Sequence, residues 1–408
     1  MATTSATSLS CERALRKLLG YCRSESWAGY DPYDGLNSPL ARFIPTKFAR
    51  TALTQFVKRC PVNVRPLLGI RKDLNPKGLA LAASAIALLA KRYAVRLPSQ
   101  VEHQPVYRPP AADDLRGGLR IDFEYLMSAL ESLRSKGYEE ACWGYNFDWQ
   151  SRAFFAPRGT PNVVCTVFAA HAYLDWHAAT GNEAALATAI SSCRFLLDRL
   201  NRSQERDGFC FSYTPLDCSQ AHNVNLLAAE LLARVYEKNR EEEFREAALS
   251  ATRYTLARQR DDGSWPYGEA RSQGWIDSFH TGFVLVSLKR LMRYLGEAGW
   301  RAHLERGYEF YAQKFFLADS TPKYYHETLY PVDAHSAAQA VITFVEMTGL
   351  MPDAEQKADD AVNWAIGNMQ DADGYFYFQR HRLYTNKIPF MRWSQTWMLY
   401  ALSLYLAK

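Results

Sequence analysis

Three of the nine histidines, His222 (AHNVN), His280 (FHTGF) and His335 (AHSAA), stand at one point of a recurring pattern, the first turn of a helical segment with few charges. In the last copy Trp393 (RWSQT) takes that place. Acids precede them: Asp217, Asp277 three residues before His280, and Asp333 two before His335. An aspartate at a helix start caps free backbone donors and answers the dipole. Next to a histidine it also orients the imidazole for proton transfer near neutral pH. The candidate catalytic groups are therefore His280, His335, His222, Asp277, Asp333 and Tyr330.

The loops that carry these residues hold half of the ten tryptophans: Trp143, Trp149, Trp265, Trp275 and Trp393. Flat aromatic faces beside scattered hydrogen-bonding groups suit sugar rings, although some of these rings should simply plug the fold. Tyr145, Tyr267 and Tyr384 add hydroxyl donors, and Arg158, Arg271, Arg382 and Arg392 offer planar forks for a carboxylate. Trp143, Tyr145, Asp148, Arg158, Trp265, Tyr267, Arg392 and Trp393 form the expected substrate-binding set.

What positions these residues is a structural repeat. An amphipathic helix ends near Asp-Gly, an aromatic loop follows, and a helix apolar nearly all round comes next. The turns are Trp143-Gly144 before YNFDW, Asp207-Gly208 before FCFSY, Asp262-Gly263 before SWPYG, Lys323 before YYHETLY, and Asp373-Gly374 before YFYFQ. Segments before the turns, such as EEEFREAALSATRYTLARQR, keep one charged face, as helices that meet water do. Segments after them, such as TGFVLVSLKRLM, look surrounded by other helices. Outer and inner helices alternating about every 50–65 residues predict an all-α fold, a single (α/α)6-type toroid with little β structure. Its polar cavity is expected where the inner helices begin. Open solenoids repeat at roughly 34–47 residues with short loops, unlike this chain. Thr46–Cys60 followed by Pro76–Arg92 makes the sixth pair, and Ser8–Ser38 leaves room for a partial seventh. The domain reading is an N-terminal segment, residues 1–45, packed on a catalytic toroid, residues 46–408.

Composition bounds the rest. The 408 residues are 48% hydrophobic and 22% charged with a net charge of +5, and no basic run marks a nucleic-acid footprint. The longest apolar run, Gly78 to Ala90, falls short of the roughly 20 residues a membrane span needs. The N-terminus has no secretory h-region. Eight cysteines without a CxxC pair read as reduced thiols of a cytoplasmic protein. Neither metal-ligand spacing nor a phosphate-binding glycine loop appears, so no cofactor is expected.

At DGSWPYGEARSQGWIDSFHTGFVLVSL and its sister loops the chain resembles the six-hairpin, (α/α)-toroid carbohydrate enzymes. These include sugar 2-epimerases, glucuronyl C5-epimerases, unsaturated glucuronyl hydrolases and the toroidal part of uronate polysaccharide lyases. The resemblance runs from Thr46 to Lys408 as architecture and carries no catalytic residue over. Terpene cyclases and protein prenyltransferases also use a DGSW turn, but their DxDD acid motif is absent here. The resemblance implies a carbohydrate substrate and leaves three readings. One is epimerisation or elimination on a uronic-acid- or amino-sugar-containing glycan, by His and Tyr groups with an arginine on the carboxylate. The second is glycoside hydrolysis by an Asp pair roughly 5–10 Å apart, Asp277 with Asp333 or Asp148 with either. The third is non-catalytic glycan binding in a surface-polysaccharide pathway.

Overall fold

Four inner helices start where an extended residue turns its side chain back onto the first free N–H groups. Asn75, Asn162, Asp277 and Asp333 do this for α3 (Pro76–Arg92), α5 (Val163–Thr180), α9 (Ser278–Leu295) and α11 (Ala334–Met347). Asp277 and Asp333, expected as caps, are caps, whereas Asp217 caps no helix. The computed structural model describes residues 5–104, 106–111, 114–151 and 154–408. Two further inner helices, α7 (His222–Asn239) and α13 (Thr396–Ala407), complete a closed ring in the order α3, α5, α7, α9, α11, α13 and back to α3. All six carry long buried faces, and α13 is buried nearly all round.

Outside this ring, α4 (Leu115–Ser132), α6 (Glu183–Arg199), α8 (Glu242–Leu256), α10 (Arg301–Lys314) and α12 (Ala354–Met369) back the inner helices. The sixth outer helix is α1 (Ala6–Ser24), which lies against α12 and α13. This corrects the expected sixth pair. The helix given that place, α2 (Lys47–Arg59), instead packs on the 3-10 turn Asp34–Asn37 and the loop strand at Trp149. The reason is visible at the Asp-Gly turns. Gly263 has φ +88°, and a Cβ there would meet the Arg306 carbonyl of α10 at 2.4 Å. Gly374 has φ +97°, and its Cβ would meet the Lys17 carbonyl of α1 at 2.5 Å. Each turn is pressed against the next outer helix, and after α12 that helix is α1.

Indoles lock two of the turns to the helix before them. The Trp143 indole donates to the Leu130 carbonyl (2.7 Å) and that of Trp265 to Thr255 (2.9 Å), both near outer-helix ends. Both indoles are fully buried. Trp265→Phe keeps most of the packing and removes one hydrogen bond, the carbonyl keeping the Arg258 N–H (3.1 Å), so a stability loss of about 0.5–1.5 kcal/mol is expected in urea titration.

Strands are confined to loops: β1 (Trp149–Gln150) with β2 (Phe155–Ala156), β3 (Arg202–Glu205) with β4 (Gly208–Phe211), and β5 (Val332–Asp333), β6 (Gln379–Arg380) and β7 (Thr385–Asn386), all antiparallel. All eight cysteines are free thiols. Among the described residues no helix is long and apolar enough to cross a membrane.

Candidate functional site

The aromatic loops meet at the end of the ring where the inner helices begin. Corresponding positions of the five loops hold the rings of Tyr145, Tyr213, Tyr267, Tyr324 and Phe378. Four of these positions are fixed alike, because the first N–H of the neighbouring inner helix donates to their carbonyl. The pairs are Val163 to Tyr213, His222 to Tyr267, Ser278 to Tyr324 and Ala334 to Phe378, all at 2.9–3.0 Å. Tyr213 and Tyr324 were not among the candidates, although the alternation of Tyr213 with Phe209 and Phe211 was readable. Burial raises the Tyr267 and Tyr324 hydroxyls well above the ordinary range, and the charge of Asp277 adds to it, so both stay protonated.

Asp277 organises the most reactive geometry. Its Oδ1 accepts the His280 backbone N–H (2.9 Å), while Oδ2 accepts both the Trp275 indole N–H (2.9 Å) and the His280 imidazole at Nδ1 (2.7 Å). The tautomer is set by that contact: an ionised carboxylate accepts only, so Nδ1 carries the proton and Nε2 is left as base. Nε2 has no partner among the described residues. Asp277 is buried and the His280 side chain 23% exposed. Tyr267 lies 4.6 Å from the imidazole and stacks on Trp275 at 4.5 Å.

His335 lies deeper. It is 1% exposed, sandwiched between Phe279 and Trp397 at 4.5 Å each, with both ring nitrogens unpartnered. Burial, then the charge of Lys77, drives its pKa far below the ordinary value, so it is neutral. His280 and His335 flank the Phe279 ring at 4.1 and 4.5 Å. His222 does not join them. It points outward, bonding Glu269 at 2.7 Å and lying beside Tyr254 of α8.

The carboxylates proposed as a hydrolytic pair are both committed. Asp333 is fully buried and accepts from Gln379 (2.6 Å), the Trp393 indole (3.0 Å) and the His335 N–H (2.8 Å). Asp217 ties down its own loop, accepting from Thr214 and Ser219. Asp148 accepts the Arg158 N–H (2.7 Å), and the exposed Arg158 guanidinium pairs with Asp73 (2.8 Å).

Arg392 departs from its expected role as a substrate fork. It is 3% exposed and held bidentate by Asp31 at 2.5 and 2.7 Å. Trp143 and Trp265 are turn plugs, and Tyr145 is buried against Tyr213 through a 2.8 Å hydroxyl contact. Trp393 is buried with its edge on His335. Tyr330 is exposed on a separate groove between Trp364 and Arg380, away from the mouth.

Two cations were not anticipated. Lys58 of α2 donates to the Tyr33 hydroxyl (2.8 Å) and lies over Tyr33 and Trp393, half-buried above the mouth. Lys77, second residue of α3, is 4% exposed among Phe168, Phe283 and Trp397, its ammonium 4.8–5.8 Å from each ring. That ammonium has no hydrogen bond or ion pair among the described residues. Burial, then the charge of Arg392, lowers it to about 7.

Beside the mouth, the crevice between His280, Asn223, Trp265 and Tyr267 holds only about 10 Å³. Half-exposed faces of Tyr33, Tyr267, Trp275, His280 and Tyr324 make an aromatic surface rather than a deep pocket. A cavity of about 200 Å³ lies lower in the ring, lined by the middle and C-terminal halves of the inner helices. The expectation placed it at the opposite end.

Solved structures share this ring. A cellobiose 2-epimerase from Bacillus thermoamylovorans B4167 superposes with a TM-score of 0.62 at 9% identity, over 82% of this chain and 87% of that one. An unsaturated glucuronyl hydrolase specific for heparin gives 0.60 at 13%, over 98% and 96%. A family 76 glycoside hydrolase from a bovine Bacteroides thetaiotaomicron strain gives 0.59 at 12%, over 82% and 69%. The fold is the (α/α)6 toroid. All three neighbours are carbohydrate-active enzymes with that architecture. No family model and no curated protein sequence matches the chain.

Proposed function

We propose that the toroid is a carbohydrate-active enzyme that moves a proton on a uronic-acid- or amino-sugar-containing glycan, as an epimerase or lyase. One observation carries this reading: Asp277 fixes His280 at Nδ1 and leaves Nε2 open beside Tyr267 and Trp275. His280 is the catalytic base in this scheme and Asp277 its positioning residue. A sugar ring rests on the aromatic surface with its hydroxyls on Tyr267 and Tyr324. The proton that His280 takes lies next to a carboxylate or carbonyl, and a cation on that group makes it acidic. Lys58 is a cation beside the mouth, while Arg392 is held by Asp31. Returning the proton on the other face gives an epimer; losing the β-substituent gives an unsaturated sugar. Of the structural neighbours, the unsaturated glucuronyl hydrolase is named for a uronate, while the cellobiose 2-epimerase is named for a neutral sugar.

The hydrolytic alternative needs two free carboxylates flanking the bond, and Asp277 and Asp333 each already accept three hydrogen bonds. A panel of uronate- and hexosamine-containing oligosaccharides tests the proposal. Proton-transfer chemistry will incorporate solvent deuterium at one ring carbon or produce the ultraviolet absorbance of an unsaturated uronate. New reducing ends with neither signal would overturn it in favour of hydrolysis.

A further inference from the structure

Between the Asp34–Asn37 turn and α3 the surface changes character. Residues 37–72 hold eight basic side chains and no acidic one, whereas the whole chain sets 48 against 43, so the remainder is net acidic. Apolar side chains also concentrate in water there. Six of the thirteen large apolar side chains exposed among the described residues lie in it: Leu40, Phe43, Phe48, Phe56, Val62 and Leu67, each 57–88% exposed. Single exposed apolar residues are ordinary, but a cluster marks an interaction surface.

Three hydrogen bonds hold the segment together. Arg65, fully buried, donates to Asp34 (2.7 Å), Ser38 donates to the Leu68 carbonyl (2.7 Å), and Arg50 to that of Ile44 (3.0 Å). The Ser38 bond brings the loops of Leu40 and Leu67 side by side, and the Arg50 bond ties the loop of Phe43 to α2. In α2 itself Thr54 and Val57 are buried. At about 100° per residue, Phe48, Ala52, Phe56 and Arg59, all exposed, fall within about 80° of one another on the opposite face. Arg42 lies 4.8 Å from the Phe43 ring. Arg42, Arg59 and Arg71 are exposed and make no ion pair among the described residues.

A partner has to answer both properties. A second copy of the chain in a two-fold contact would set this basic patch against itself. A nucleic acid or a polyuronate would meet the arginines and leave the phenylalanines in water. We infer that α2 and its flanking loops are a docking surface for an anionic phospholipid bilayer, with Phe48 and Phe56 at the boundary of headgroups and acyl chains and the exposed arginines on the phosphates. Helices that lie in that interface combine basic and aromatic residues in this way. Each Lys or Arg close to an anionic leaflet strengthens binding about fivefold. Lys58 of α2 reaches Tyr33 and Trp393, so docking holds the mouth beside the bilayer. The surface is independent of the chemistry proposed for that mouth.

Sedimentation of the full chain with sucrose-loaded vesicles tests this, one set of phosphatidylcholine alone and one with a third of it replaced by phosphatidylglycerol. Binding to the second set should be at least about tenfold stronger, and should fall about tenfold between roughly 0.1 M and 1 M salt. Phe48→Ser with Phe56→Ser should weaken it about tenfold or more. Arg42→Glu with Arg59→Glu should weaken it about 25-fold or more. The unmutated chain supplies the first comparison by itself, so a variant that fails to fold leaves the test intact. No binding to the anionic vesicles, or equal binding to both sets, would overturn the inference. So would binding that the arginine pair abolishes and the phenylalanine pair leaves unchanged, the pattern of a site for an anionic glycan or nucleic acid. Dimers in sedimentation velocity that depend on the phenylalanines, with neither vesicle bound, would give the surface to a second copy instead.

Discussion

His280→Ala is expected to cut turnover about 10³-fold while changing stability by no more than about 1 kcal/mol. The side chain is part-exposed at the mouth, so its removal opens no core cavity; what is lost is the base at Nε2. Asp277→Asn is the sharper experiment. Asparagine caps helices nearly as well as aspartate, but Asp277 accepts three hydrogen bonds and an amide offers one oxygen. Placed at Oδ1, that oxygen keeps the His280 N–H and turns its NH2 toward the ring, which moves the proton to Nε2 and removes the base. Placed at Oδ2, it keeps Trp275 and the ring and sets a donor against the backbone N–H. The variant therefore loses about 10²-fold or more in turnover, or about 1–3 kcal/mol of stability, according to the orientation. Deuterium incorporation into the oligosaccharide found by the panel, read beside thermal unfolding, separates the two. A His280→Ala protein that unfolds easily yet turns over normally would remove His280 from the mechanism.

The ring was legible because its signals are local. Gly263 and Gly374 mark turns that no other residue makes cheaply, and the inner helices announce themselves by lacking a charged face. Which amphipathic helix closes the ring is not a local property. α1 and α2 both carry a charged face and an apolar one, and only the contact between Lys17 and Gly374, more than 350 residues apart, chooses α1.

The site failed to read through for a related reason. Placing a histidine in the first turn fixes its height but not its direction, because each residue turns an α-helix by about 100°. His222 is the first residue of α7, His335 the second of α11 and His280 the third of α9. They accordingly face the outer layer, the axis and the mouth. The second position is the axial one: Lys77, Phe279, His335 and Trp397 all occupy it and touch across the ring. Aligning helix starts to a single residue, rather than to a turn, would have found Lys77. Arg392 was misjudged because its partner, Asp31, lies 361 residues away.

Lys77→Met should stabilise the protein, and by an amount that depends on pH. An ammonium buried among three rings with no anion is carried at a cost, which is why its pKa falls from 10.5 to about 7. Between those values the unfolded chain holds a proton that the folded chain has released, so this group makes stability rise with pH across that window. Below pH 7 both states are protonated and the full cost is borne. Removing the charge at pH 6 therefore gains on the order of 4 kcal/mol, from a shift of several units at 1.36 kcal/mol each. The gain shrinks through pH 8 and nearly vanishes by pH 10. Methionine matches the unbranched lysine stem, so packing changes little. Guanidinium titrations at pH 6, 8 and 9.5 check the slope; a loss of stability, or a gain equal at all three, would contradict it. Cost of this kind persists where a site has a use for it. α3 stands opposite α9 in the ring, which puts Lys77 across the axis from His280. If Lys77 takes part in the chemistry, turnover falls in the variant that gains stability, and no purely structural role moves the two readouts in opposite directions.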